Sequence, residues 1–185
     1  MARIPLATRE SVPATQREAF DTMLQSLKSV PRTGPGSVLI HVPEAHRILT
    51  DLNHYLRDSS TLSKKVQELA MLVTARENDC QHIWNAHAAS AREAGVPSAL
   101  VDALRDRKEL PKMAADEAAV VTYGREFFRT HRVSRGGFQS AMEVFGRQGL
   151  VELTALLGNY ALLAFMCNAF DTDLLAERKE PLLPV

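Results

Sequence analysis

Cysteine is scarce in this chain: two in 185 residues, at positions 80 and 167. Two cysteines so far apart in sequence do not make a disulfide framework, and they fit a reducing, cytoplasmic setting. Net charge is absent too. The 22 basic residues balance 22 acidic ones, which gives no sign of a nucleic-acid or acidic-membrane partner. The opening MARIPLATRE lacks the apolar segment of a secretory signal. The most apolar run, Leu153 to Cys167, is broken by Thr154 and Asn159. It is shorter than a membrane span and reads as a buried helix, so no membrane is expected. There is no G-x-G-x-x-G, P-loop or H-E-x-x-H pattern, no strand-like alternation and no internal repeat. His41, His46 and His54 therefore read as solvent-facing or hydrogen-bonded side chains, and neither a metal nor a cofactor is expected.

What is present is helical rhythm. After an arm containing Pro5 and Pro13, a helix is expected over about 13–28, with Ser11 as a possible cap and Phe20, Met23, Leu24 and Leu27 as its apolar stripe. Residues 30–37, VPRTGPGS, read as a loop, either a connector or a substrate lid. Further helices are expected over about 43–57, 64–76 (capped by Ser63), 80–94 (stopped by Gly95), 99–107, 114–131, 134–146 and 150–169. The last is apolar nearly all round, which implies central burial or a seam between subunits. The closing AERKEPLLPV reads as a tail or as a strap over a neighbour. The expected fold class is all-α, a single domain over 1–185.

The stretch with most chemical content runs from Glu68 to Gly95. It holds Cys80, the only tryptophan (Trp84) and two of the six histidines, His82 and His87. Residues seven apart on a helix differ by only about 20° in direction, so Cys80 and His87 share a face two turns apart. His82 points about 200° from Cys80 and is expected to face another element or subunit. Glu68 lies inside an apolar helix. Buried, it would need a partner or a raised pKa; otherwise it faces solvent beside Lys64 and Lys65. A thiol, an imidazole and a carboxylate on one helical pair suit proton handling, and the same residues also suit a plain helix interface.

This stretch resembles the carboxymuconolactone decarboxylase family, which includes the alkylhydroperoxidase AhpD. The AhpD pattern is Glu, eleven residues, Cys, two residues, Cys, three residues, His. Glu68, Cys80 and His87 fall on the Glu, first Cys and His, and His82 falls on the His that precedes the second Cys. The second Cys, the attacking thiol in AhpD, is Ile83 here. The decarboxylase branch often reads C-x-Y-E-W-x-x-H, and Cys80, Trp84 and His87 fit that frame. The resemblance covers about 35–108 strongly and 114–171 more weakly. It implies an AhpD-like helical bundle with an N-terminal helical extension, assembled as a homo-oligomer, trimer or hexamer.

Two chemistries follow from this resemblance. In a cofactor-free decarboxylation of a small lactone or related acid, His87 reprotonates carbon, Glu68 orients or relays, and Cys80 and Trp84 line the pocket. His82, Ile83 and Arg76 are the other substrate-binding candidates, Arg76 for a carboxylate. In an AhpD-like peroxidase, Cys80 acts as the single active-site thiol, resolved by Cys167 only if the final helix packs against it. A helical binding protein without catalysis is the third reading.

Overall fold

The computed structural model describes residues 2–174, 176–178 and 180–185, and no strand occurs among them. The helices are α1 (Arg17–Leu27), α2 (Gly34–Leu39), α3 (Pro43–His54), α4 (Lys64–Glu77), α5 (Gln81–Glu93), α6 (Ser98–Arg105), α7 (Ala115–Thr130) and α8 (Arg135–Phe170). A 3-10 turn, Ala14–Gln16, leads into α1, and a π-type turn, Tyr55–Ser59, follows α3. The all-α expectation holds, with element positions close to those read from periodicity.

The bundle is organised around α4. Ser63 starts it, its hydroxyl accepting from the Val66 amide at 3.3 Å, which satisfies one of the free donors of the first turn. Every residue from Val66 to Arg76 is buried, because α5, α7 and α8 all pack against this helix. Full burial of side chains such as Leu69, Met71 and Leu72 stabilises by about 1.5–3 kcal/mol each. At Gly124 α7 comes close to α4: a Cβ there would lie 2.8 Å from Val73 Cγ1.

Three features depart from the sequence reading. Residues 34–39 form the short buried helix α2 and not an open loop or lid; Pro35 is compatible with a first helical turn, and Gly34 supplies the required φ of +66°. Ser11 does not cap α1; it pairs with Thr8 in the turn before it. The final two expected helices run on as α8, interrupted at Gly146, whose φ of 65° and ψ of −178° are non-helical. That glycine breaks the run where the sequence placed a helix end.

By length and composition, α8 is the one helix among the described residues that could cross a membrane, yet over half of its most apolar window is buried inside the bundle, as for a core helix. Both ends of the chain strap the molecule. Arg3 donates from its amide to the Phe170 carbonyl at 2.9 Å, and Ala7 and Val12 join Phe20 and Ile40 in a small second core. At the other end Leu183 is buried in the main core, and its backbone pairs with the Gln81 amide at 2.7 and 3.0 Å. The tail thus straps its own α5.

Candidate active site

The turn at Asn78 and Asp79 reverses the chain, Asp79 taking a φ of 50°. It lies midway between Glu68 and His87, so folding α5 back on α4 sets these two side chains level. His87 Nδ1 donates to Glu68 Oε2 at 2.8 Å. The other carboxylate oxygen receives Lys64 Nζ at 2.9 Å, one helical turn earlier, and faces Arg57 Nη2 at 4.0 Å. The Glu68 side chain is 1% exposed and that of His87 13%. Burial alone pushes the Glu68 carboxyl up, but the bonds from His87 and Lys64 outweigh it and hold the group below the ordinary glutamate value. Glu68 is therefore an anchored carboxylate and does not face solvent.

Tyr160 from α8 sets its ring edge-on to His87, centroids 5.3 Å apart at 79°. Burial drives its phenol up to about 12. The site thus combines an imidazole held on a buried carboxylate, two cations and an apolar ring. With Nδ1 engaged, the other ring nitrogen is the one to exchange a proton with a bound molecule.

The remaining candidates lie elsewhere on α5 and α4. Cys80 precedes α5 and is fully buried, about 10 Å along the helix from His87 by helical rise. It belongs to a different group: it lies in the main core, as does Cys167. Ile83, one turn before His87, is buried in the main core, and so is Trp84. His82 faces another element, α2. A Cβ on Gly34 would meet its Nε2 at 2.2 Å, and the imidazole also hydrogen-bonds the Asp173 backbone. Arg76 is buried, with its guanidinium bonded to Asp79 and to the carbonyls of Arg105 and Pro184. It ties α4 to α6 and the tail and does not reach the Glu68 carboxylate.

The cation at the site that sequence reasoning missed is Arg57. It sits in the π-type turn eleven residues before Glu68, a spacing that no motif marks. Its Nε is buried without a protein partner, and its side chain is about one third exposed. The larger cavities lie away from His87: one of about 680 Å³ beneath the N-terminal arm and one of about 570 Å³ between α1 and α3. Among the described residues no group of three or more His, Cys, Asp or Glu is placed to hold a metal.

Residues 43–121 match the Carboxymuconolactone decarboxylase family, which covers α3 to the first part of α7 and includes Glu68 and His87. Solved structures share the fold. An AhpD-core, peroxidase-related protein from Ralstonia eutropha JMP134 superposes with a TM-score of 0.70 at 17% identity, covering 95% of this chain and 93% of that one. A peroxidase-related protein from Silicibacter sp. TM1040 gives 0.68 at 18%, covering 96% and 93%. The debrominase Bmp8, solved as a cysteine-to-alanine variant with 2,3,4-tribromopyrrole, gives 0.63 at 13%, covering 95% and 92%. Among curated proteins none matches the chain. At these identities the structures establish the AhpD-like fold, and the family match over 43–121 agrees with the motif frame of Glu68, Cys80, Trp84 and His87.

Proposed function

We propose, for this carboxymuconolactone decarboxylase-like chain, a cofactor-free acid–base reaction at His87: decarboxylation of a small lactone or related acid of aromatic-compound degradation. The observation that carries this reading is the 2.8 Å bond from His87 to a buried carboxylate, together with Ile83 at the position one turn earlier where a peroxidase thiol would stand. An imidazole so held is fixed in orientation and tautomer, which suits a proton donor.

In the proposed reaction the bond to the departing carboxylate breaks and its electron pair spreads to the lactone carbonyl. CO2 leaves, and His87 delivers a proton to carbon. Glu68 holds the imidazole. Arg57, with its unpartnered Nε and partly exposed fork, takes a substrate carboxylate, the role for which Arg76 was the sequence candidate. Tyr160 provides an apolar edge that limits water at the reacting centre. A one-cysteine peroxidase using His87 as base for Cys80 is disfavoured by the two-turn separation of those groups.

The proposal includes a cytoplasmic homo-oligomer, a trimer or a set of trimers. Its support is a stripe along α8, where Val151 and Phe165 are 64% and 61% exposed and Ala155 and Gly158 lie exposed between them. A second copy would cover this face, close to the helix segment that carries Tyr160.

The test is His87→Gln, assayed on a set of small lactone dicarboxylates by CO2 release. A loss of about 100-fold or more in kcat is expected, the usual scale for general acid help. Activity that survives His87→Gln within a few-fold, on any substrate the parent turns over, removes the reading.

A further inference from the structure

Glu152, on α8, is a buried carboxylate outside the Glu68–His87 pair, 4% exposed. Its hydrogen-bond donors are all neutral. Oε1 accepts from the Tyr55 hydroxyl at 2.9 Å and from Gln148 Nε2 at 3.0 Å. Oε2 accepts from the Thr61 amide at 2.8 Å and from Thr61 Oγ1 at 2.6 Å. Burying a charge is costly unless hydrogen bonds replace its water, and these four bonds do so. Burial pushes the carboxyl up, but the bonds from Thr61, Gln148 and Tyr55 outweigh it and hold the group at about 2. An ionised carboxylate suits this place because it accepts on both oxygens and donates nothing.

Three of the four bonds reach the connection between α3 and α4. Tyr55 opens the π-type turn Tyr55–Ser59, and Thr61 lies just beyond its end. Arg57 lies between them, in a kind of turn that is rare and recurs at functional sites. Its own side chain does little to fix it. Nη2 is 4.0 Å from Glu68 Oε1, too far for a hydrogen bond, and Nε is buried without a partner among the described residues. The place of the guanidinium is therefore set by the backbone that carries it. From inside, that backbone is held by Leu56, 1% exposed in the main core, and by the Ser60 hydroxyl, which donates to the Leu56 carbonyl at 2.7 Å. Glu152 adds the tie to α8 and grips the segment on both sides of Arg57.

We propose that Glu152 is a positioning residue for Arg57: it fastens both flanks of the turn to α8 and so holds the guanidinium where a substrate carboxylate meets it beside His87. This role rests on the decarboxylation reading given above. Glu152 bonds Tyr55, Thr61 and Gln148, and not His87. Freeing one flank lets the turn, and the guanidinium with it, sample other placements. Carboxylate binding then weakens, while proton delivery from His87 is unchanged.

The experiment is a double-variant cycle on the full chain, read by steady-state CO2 release from a lactone dicarboxylate. Glu152→Gln keeps the size but replaces one acceptor oxygen by a donor. KM should rise about tenfold, the scale of one hydrogen bond to a charged group, with kcat kept within about threefold. With Arg57→Gln added, KM should match that of Arg57→Gln alone within about twofold, because no guanidinium is left to place. Tyr55→Phe removes a single bond from an exposed side chain and serves if Glu152→Gln fails to fold. It should raise KM by a smaller factor and add nothing in the Arg57→Gln background. Amide exchange in Glu152→Gln should quicken over residues 55–61 and stay as in the parent over α4, a split that general destabilisation would not give. An unchanged KM, factors that multiply in the double variant, or exchange over 55–61 equal to the parent's overturns this role and leaves the decarboxylation reading standing. A parent that releases CO2 from no lactone dicarboxylate removes that reading and this role with it.

Discussion

Replacing Glu68 by Gln isolates the charge of the buried carboxylate while keeping its size. At neutral pH the parent carboxylate accepts from His87 and from Lys64. In Glu68→Gln the amide oxygen can still accept from His87, but the amide nitrogen then faces Lys64 and Arg57, donor against donor. The Lys64 part is small: that side chain is 51% exposed, and a screened pair of this kind is worth roughly 0–1 kcal/mol. The buried bond to His87 is a hydrogen bond to a charged group and contributes about 1.5–3 kcal/mol. The expected destabilisation is therefore about 2 kcal/mol at neutral pH. Its pH dependence has a fixed sign. The folded Glu68 carboxyl lies below the ordinary 4.5, so its contribution is complete above that value and is lost as pH falls through the folded pKa. Urea titrations of parent and variant between neutral and acid pH give both quantities, with dichroism as the readout. A stability difference under about 0.5 kcal/mol at neutral pH, or one that does not narrow below pH 4.5, refutes the anchored-carboxylate account.

Other outcomes follow from the same geometry. Arg57→Gln should raise KM for a carboxylate substrate about tenfold or more, the scale of one charged hydrogen bond, while a parallel Arg76→Gln should act through stability; steady-state kinetics and melting curves separate them. Gly34→Ala should cost about 2 kcal/mol or more, because a φ of +66° is strained for alanine and its Cβ would meet His82 Nε2 at 2.2 Å; thermal unfolding measures it. Phe165→Glu or Val151→Glu should break the proposed assembly; light scattering is expected to give a multiple of 20.5 kDa for the parent and a smaller species for the variants. A parent that is monomeric at micromolar concentration removes that expectation.

How much of this was legible depended on whether the deciding contact was local. Helix positions were, because caps and apolar spacing act within a few residues: Ser63 opens α4, and Gly146 interrupts α8. The level meeting of Glu68 and His87 was nearly local, since a polar turn lies midway between them. Whether Glu68 was buried was not legible, because that depends on α7 and α8 closing over α4. Arg76 shows the same limit from the other side. An arginine near the end of a core helix resembles a substrate anchor, but the carbonyls it satisfies come from residues 105 and 184. The segment 30–37 reads as loop by glycine and proline content, yet tertiary packing draws its second half into α2. Arg57 was missed because its partner lies across a turn with no periodic signal.

The two ends of α5 thus differ in how far along the chain their partners lie. The His87 end depends on a carboxylate held by donors within about thirty residues of sequence, so the motif frame could point to it. The Cys80 end depends on the last turn of a helix 87 positions away, where α8 meets the Asn78–Asp79 turn through Asn168. The absence of a second thiol at residue 83 removes a vicinal pair from α5 and leaves Cys80 as a buried residue of the core. A perturbation at one end should therefore leave the other intact: Glu68→Gln acts on the proton-handling site while the packing around the buried Cys80 and Cys167 stays as it is.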